Sequence, residues 1–96
     1  MFTHRVQMQL KDKSFILLSR KIENTIMPLL HIQKGFYDGI TTIVPERSTA
    51  TEDTRWNTKE DAEAYHLAGY LEVMKTLSEV VIEEPVTSIF ESPVSS

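Results

Sequence analysis

The sequence predicts an α+β fold in which a four-stranded antiparallel sheet carries helices on one face, in the order β-α-β-β-α-β. Three observations carry that reading. From His4 to Leu10 the chain alternates, with Val6, Met8 and Leu10 on one side and Arg5, Gln7 and Gln9 on the other, the period of a half-buried strand. Phe36 to Val44 contains a β-branched run, Ile40-Thr41-Thr42-Ile43-Val44, bounded by Gly35 and Pro45. Trp56-Asn57-Thr58-Lys59-Glu60-Asp61-Ala62-Glu63-Ala64-Tyr65 reads as a strand end, a helix cap and the start of an amphipathic helix.

Each element follows from local chemistry. After the first strand, Lys11-Asp12-Lys13 is a polar turn, with Asp12 or Ser14 available as a cap. A helix begins near Phe15, with Phe15, Leu18, Ile22, Ile26 and Leu29 or Leu30 spaced by three or four. Pro28 lies inside that pattern and cannot donate a helical N–H bond, so a kink or a break is expected. A break would leave Pro28 in the first turn of a short second helix. Gly35 ends the segment as a residue able to take positive φ.

Phe36–Val44 is the second strand, Pro45–Ser48 a turn, and Thr49–Trp56 a third strand forming a hairpin with the second. Glu52, Asp53 and Arg55 are poor strand formers, so composition supports this third strand weakly. Thr58 caps the next helix, and Glu60, Asp61 and Glu63 set negative charge near the positive end of its dipole. The helical half runs from Lys59 to about Glu83, interrupted at Gly69, with Tyr70, Val73, Met74, Leu77 and Val81 on its apolar face. Pro85 closes it and Val86–Glu91 forms the last strand. Residues 1–92 form one domain and Pro93–Ser96 a frayed tail. The order is that of a ferredoxin-like fold. Two helices cover one face of such a sheet, so the open face must be polar or pair with something, and a homodimer through that face is expected.

Composition bounds the function. Fourteen acidic against ten basic residues give a net charge of −4, which argues against nucleic acid or an anionic membrane as a partner. Cysteine is absent, which removes disulfides, thiolate nucleophiles and Cys-ligated zinc. No apolar run approaches the ~20 residues of a membrane-spanning helix, and the N-terminus lacks a signal-peptide core, so a soluble cytoplasmic protein is expected. His4, His31 and His66 are scattered, without metal-ligand spacing, so no metal is expected. Gly35, Gly39 and Gly69 form no phosphate loop, there is no nucleophile elbow, and no cofactor is implied.

Some residues are suited to chemistry. Trp56 can wall a pocket for an aromatic ligand, although a tryptophan is more often a core or interface anchor. Along a strand, Thr51, Asp53 and Arg55 share one face, and Glu52, Thr54 and Trp56 the other. Asp53 and Arg55 then read as a polar pair binding a carboxylate or phenolate; the plainer alternative is a solvent-facing edge strand whose charges discourage strand addition. His66 is a candidate general base, and Tyr70, four residues later, shares its helix face. Tyr65 belongs to the same group as a binding residue.

With these pieces in order, the chain resembles the dimeric α/β-barrel proteins of the antibiotic-biosynthesis-monooxygenase type. The likeness rests on the first strand, Met27-Pro28-Leu29-Leu30, Lys34-Gly35-Phe36-Tyr37-Asp38, the Trp56–Tyr65 stretch and Pro85-Val86-Thr87-Ser88-Ile89-Phe90. It covers roughly residues 3–91. It implies a dimer whose sheets close into a barrel, with any pocket between sheet and helices. Members of the family include cofactor-independent oxygenases of aromatic polyketides, haem-degrading enzymes and proteins of no known activity. The resemblance therefore implies a cofactor-independent monooxygenase-like enzyme acting on an aromatic or polyketide-like small molecule. Trp56 and Tyr70 would be walls, Arg55 an anion stabiliser and His66 the proton acceptor. The alternative is a noncatalytic ligand-binding or assembly module of the same fold. Haem binding or degradation is weaker, because Gln7, Tyr65 and Lys75 stand where haem-degrading members have Asn, Trp and His. The chain also departs from the family in its third strand, which is usually apolar up to the tryptophan and here reads Ala50-Thr51-Glu52-Asp53-Thr54-Arg55-Trp56.

Overall fold

A computed structural model describes residues 1–93; of the expected tail Pro93–Ser96, all but Pro93 lies outside the described residues. The elements are β1 (Phe2–Gln9), α1 (Phe15–Lys21), a π-helical turn (Ile22–Ile26), α2 (Met27–His31), β2 (Phe36–Val44), β3 (Thr49–Trp56), α3 (Lys59–Leu67), α4 (Gly69–Leu77) and β4 (Val86–Glu91). The four strands form one antiparallel sheet in the order β2-β3-β1-β4, with the helices on one side. The ferredoxin-like α+β class read from the sequence is the class observed.

Pro28 accounts for the break in the first helical segment. It has no N–H for the carbonyl of Asn24, and its ring crowds that carbonyl. The helix widens into the π-turn just before it and restarts as α2 with Pro28 in its first turn. Ser14 stands at the start of α1 but its side chain makes no capping bond. The Thr58 hydroxyl does cap α3, accepting from the Asp61 N–H at 3.1 Å. The second helical segment is shorter than expected. It breaks at Ala68 (φ −128°, ψ −72°) into α3 and α4, and ends at Leu77, not near Glu83. Gly35 takes φ +80°, and its carbonyl accepts from the Asn57 N–H at 2.8 Å, tying the start of β2 to the start of α3.

The side-chain alternation of the strands sorts the sheet into two faces. Phe2, His4, Val6 and Met8 of β1 and Ala50, Glu52, Thr54 and Trp56 of β3 face the helices; of these only Phe2 is not buried. Leu18, Ile26, Leu30, Val73, Leu77 and Val80 complete the core from the helical side. The opposite face carries Thr3, Arg5, Asp38, Ile40, Asp53, Arg55 and Phe90, and among the described residues no helix covers it. The edge-strand alternative for Thr49–Trp56 is overturned: β3 lies inside the sheet between β2 and β1. Its charged residues survive there because Asp53 and Arg55 find partners on the open face, while Glu52 turns inward. Among the described residues no helix is long and apolar enough to cross a membrane.

Candidate functional site

His4, Trp56, Tyr65, His66 and Tyr70 converge between the sheet and α3–α4. Tyr65 and His66 come from α3, Tyr70 from α4, His4 from β1 and Trp56 from the end of β3. The break at Ala68 lies between the residues that α3 and α4 contribute. His4 is fully buried, and its Nε2 lies 2.9 Å from Nδ1 of half-buried His66. Its ring packs edge-on against Tyr65 and at 5.0 Å from Tyr70. Tyr70 stacks on His66, with ring centroids 5.4 Å apart and an interplanar angle of 16°. Trp56 stacks on Tyr65 at 4.6 Å and 24°. The indole N–H donates to Thr54 Oγ1 at 2.9 Å, so the buried tryptophan leaves no polar atom unsatisfied.

The electrostatics of the cluster follow from burial. Burial first, and then the charge of His66, push the His4 pKa down to about 4, so His4 is neutral at ordinary pH. Burial pushes the Tyr70 phenol up to about 12, with Glu84 adding to the effect. Tyr65 is raised too, by burial and then by the charge of Glu52. Three buried atoms have no hydrogen-bond partner among the described residues: His4 Nδ1, Tyr70 Oη and Glu52 Oε1. Glu52, 4 % exposed, is the most unusual group in the interior. Its Oε2 accepts from the Thr41 hydroxyl, while Oε1 faces the side of Gly39, 3.5 Å from where a Cβ would stand. Desolvation raises its pKa to about 7, Thr41 works against the shift, and Asp53 adds to it.

Two clefts reach this cluster from outside. One of about 240 Å³ is lined by His66, Tyr70, Leu71, Met74, Glu84, Pro85 and Thr87. The other, of about 400 Å³, is lined by Gln33, Lys34, Trp56, Glu60, Asp61, Ala64, Tyr65 and Ala68. Trp56, Tyr65, His66 and Tyr70 are therefore brought together, as the sequence reading grouped them.

Arg55 and Asp53 are elsewhere. Both lie on the open face of the sheet, across it from His66, in a depression of about 440 Å³ shared with Thr3, Arg5, Ile40 and Phe90. They do not pair with each other. Asp53 accepts two bonds from the Arg5 guanidinium at 2.8 Å, and Arg55 makes a forked pair with Asp38. The hydrogen bonds from Arg55 hold the Asp38 carboxyl below its ordinary range. Arg55 and His66 thus share no cavity, and an anion stabilised by Arg55 would lie on the other side of the sheet from the His66 base. The sequence reading missed His4 and Glu52. Both were legible as inward-facing by parity, His4 with Val6 and Met8, Glu52 with Trp56. Among the described residues no cluster of three or more His, Asp or Glu is placed to hold a metal ion.

The sheet order, the helices on one face and the aromatic cluster beneath them define a ferredoxin-like α+β domain. Its fold is that of the antibiotic-biosynthesis-monooxygenase-like proteins. A monooxygenase of Streptomyces coelicolor, solved with the ligand nanaomycin D, superposes with a TM-score of 0.81 at 11 % identity, covering 99 % of this chain and 89 % of that one. A protein of the antibiotic-biosynthesis-monooxygenase type from Bordetella bronchiseptica gives 0.79 at 14 % identity over 97 % of both chains. An EthD-family protein of Bacillus halodurans gives 0.67 at 14 %, covering 97 % of this chain and all of that one. At these identities the likeness is one of fold. No family model matches the sequence, and no curated protein does.

Proposed function

We propose that this chain is a cofactor-independent monooxygenase-like enzyme that oxidises a hydroxylated aromatic small molecule held between sheet and helices. The observation that carries the reading is the His4–His66 hydrogen bond beside a cleft lined by His66 and Tyr70. His4, kept neutral by burial, can accept from the His66 Nδ1–H. In that tautomer His66 Nε2 is left as a base able to take a proton from a phenol or an activated CH₂. The resulting carbanion or phenolate is electron-rich enough to reduce O₂. With a CH₂ substrate its two C–H bonds give up the four electrons that reduce O₂. One oxygen atom becomes the carbonyl of that carbon and the other leaves as water with the two protons. With a phenol one ring C–H and the O–H supply the electrons, and a quinone forms. The fold likeness to a nanaomycin-binding monooxygenase supports the substrate class. The test is oxygen uptake with anthrone- and naphthol-type substrates by the purified, metal-free protein and by His66→Ala. Uptake by the native chain that falls at least about a hundredfold in the variant supports the reading. Equal rates in both would remove it.

A noncatalytic ligand-binding or assembly module is the second reading, favoured by one feature: Trp56 and Tyr65 stack on each other in the space a ligand would need. Under either reading the uncovered face of the sheet is the homodimer interface. Arg5 with Asp53 and Arg55 with Asp38 neutralise its charges, and Ile40 and Phe90 supply apolar contact.

A further inference from the structure

We propose that Trp56, Thr54, Gly39, Thr41 and Glu52 form a slot for a planar hydroxy-aromatic ring, which the Tyr65 side chain fills when no ligand is bound. The inference rests on the small-molecule reading above and adds the group that recognises the substrate hydroxyl and the residue that guards it. Four observations converge. Trp56 already stacks a ring, but that ring belongs to the protein. Beyond Tyr65 lies the cleft of about 400 Å³, so the phenol has a volume to move into and a ligand a way to approach. The helix breaks at Ala68, three residues after Tyr65, which leaves the end of α3 a joint and not a continuous rod.

Glu52 supplies the fourth observation. Its carboxyl spans from Thr41 to Gly39 on the inner face: Oε2 accepts from Thr41, Oε1 lies beside Gly39, Gly39 pairs with Thr54, and Thr54 holds the indole N–H. The Tyr65 phenol stacks on that indole, so the carboxyl and the phenol stand on the same side of the sheet. An acceptor oxygen that is almost wholly buried and has no partner carries a desolvation cost unless something donates to it. A ligand hydroxyl stacked on Trp56 in place of Tyr65 would be that donor. Gly39 matters because a side chain there would stand against Oε1 and Met27 Sδ and close the slot. The ligand class is therefore a flat, one- or two-ring aromatic with a hydroxyl at its inner end. A carboxylate there would meet a like charge.

The test uses the one tryptophan of the chain as its reporter. Binding of 1-naphthol and of 1-methylnaphthalene, which has a methyl where the first has a hydroxyl, is measured by equilibrium dialysis and by quenching of Trp56 emission. The native protein should prefer 1-naphthol by about tenfold, the size of one hydrogen bond to a buried acceptor. Tyr65→Ala should bind 1-naphthol more tightly than the native chain by about tenfold or more, because the slot no longer has to be emptied. Glu52→Leu should bind both probes alike while melting higher, since it removes a buried carboxyl with one oxygen left without a partner. This second variant carries the test if Tyr65→Ala does not fold. Equal binding of the two probes to the native protein, or a preference that persists in Glu52→Leu, overturns the proposal. So does 1-naphthol binding no tighter to a folded Tyr65→Ala. The reading beneath it fails separately: tight, hydroxyl-selective binding without oxygen uptake keeps the slot and removes the oxygenase. Oxygen uptake that depends on His66 but not on Glu52 or Tyr65 does the reverse.

Discussion

The imidazoles of His4 and His66 meet at 2.9 Å although 62 positions separate them in the chain. One is buried on a central strand and the other, on α3, lines a cleft. The relationship is asymmetric. Burial disfavours a charge on His4, so under the proposed function His4 would orient His66 and not compete with it for the proton. Replacing His4 by Leu keeps most of the packed volume and removes the acceptor. Turnover of a hydroxy-aromatic substrate should fall by about tenfold to a hundredfold, less than in His66→Ala, because the base remains but is no longer held in one tautomer. The pH–rate profile should also shift. An unchanged rate and profile in His4→Leu would leave His4 with a packing role alone.

The pH dependence of stability tests the two buried ionisable groups together. His4 has its folded pKa lowered to about 4, so the unfolded chain binds the proton more readily, and stability from this group is lost as pH falls from about 6.5 through 4. Glu52 has its folded pKa raised to about 7, so its contribution is present below about 4.5 and lost as pH rises through 7. Each effect spans roughly 3 kcal/mol. Between about pH 4.5 and 6.5 they oppose each other, and stability should be nearly flat on their account. In Glu52→Gln the flat region should become a rise with pH. In His4→Leu it should become a fall. Urea denaturation of the three proteins at pH 4.5, 5.5 and 6.5 reads this directly; parallel curves would show that neither group titrates as its burial requires.

The fold was legible in the sequence because its signals are local and agree with one another. Alternation marked β1, β-branched residues marked β2, and the Thr58 cap marked α3 within a residue of its observed start. The site was half legible. Trp56, Tyr65, His66 and Tyr70 lie close in sequence, and helical spacing alone groups His66 with Tyr70. Arg55 does not join them: the parity of β3 already sets it on the face opposite Trp56, and in a strand that single step crosses the sheet. His4 went unnoticed because its partner is brought to it by the docking of α3 on β1, which no local pattern encodes. Glu52 was hidden differently. A charged residue beside Asp53 and Arg55 reads as solvent-facing, although its parity with Trp56 places it inside.

Gly35 should tolerate no side chain. Its φ of +80° disfavours L-residues, and a Cβ there would stand 2.7 Å from the Asp61 Cβ in the first turn of α3. Gly35→Ala should therefore cost about 2 kcal/mol or more, combining backbone strain with the displaced Asp61. Gly39→Ala, with ordinary contacts and no positive φ, should cost less. Thermal or urea midpoints of the two variants give the comparison, and equal losses would mean that the approach of α3 to Gly35 is slack.

The open face of the sheet makes the last prediction. Its two arginines and two aspartates pair as Arg5–Asp53 and Arg55–Asp38, so their formal charges cancel. Arg5 also lies over the Phe90 ring at 4.9 Å and Arg55 over Tyr37 at 5.2 Å, each within reach of a cation–π attraction. A face arranged in this way can be buried against a second copy without stranding a lone charge, which would otherwise be costly. A stable homodimer needs about 800 Å² from each partner, and one face of a four-stranded sheet is of that order. Light scattering should give twice the monomer mass of 11.0 kDa at micromolar concentration. Ile40, 59 % exposed in the single chain, would sit inside the interface, so Ile40→Lys should yield a folded monomer. Because the charges are internally paired, dissociation should respond weakly to salt. A native chain that scatters as a monomer would mean that this face meets water.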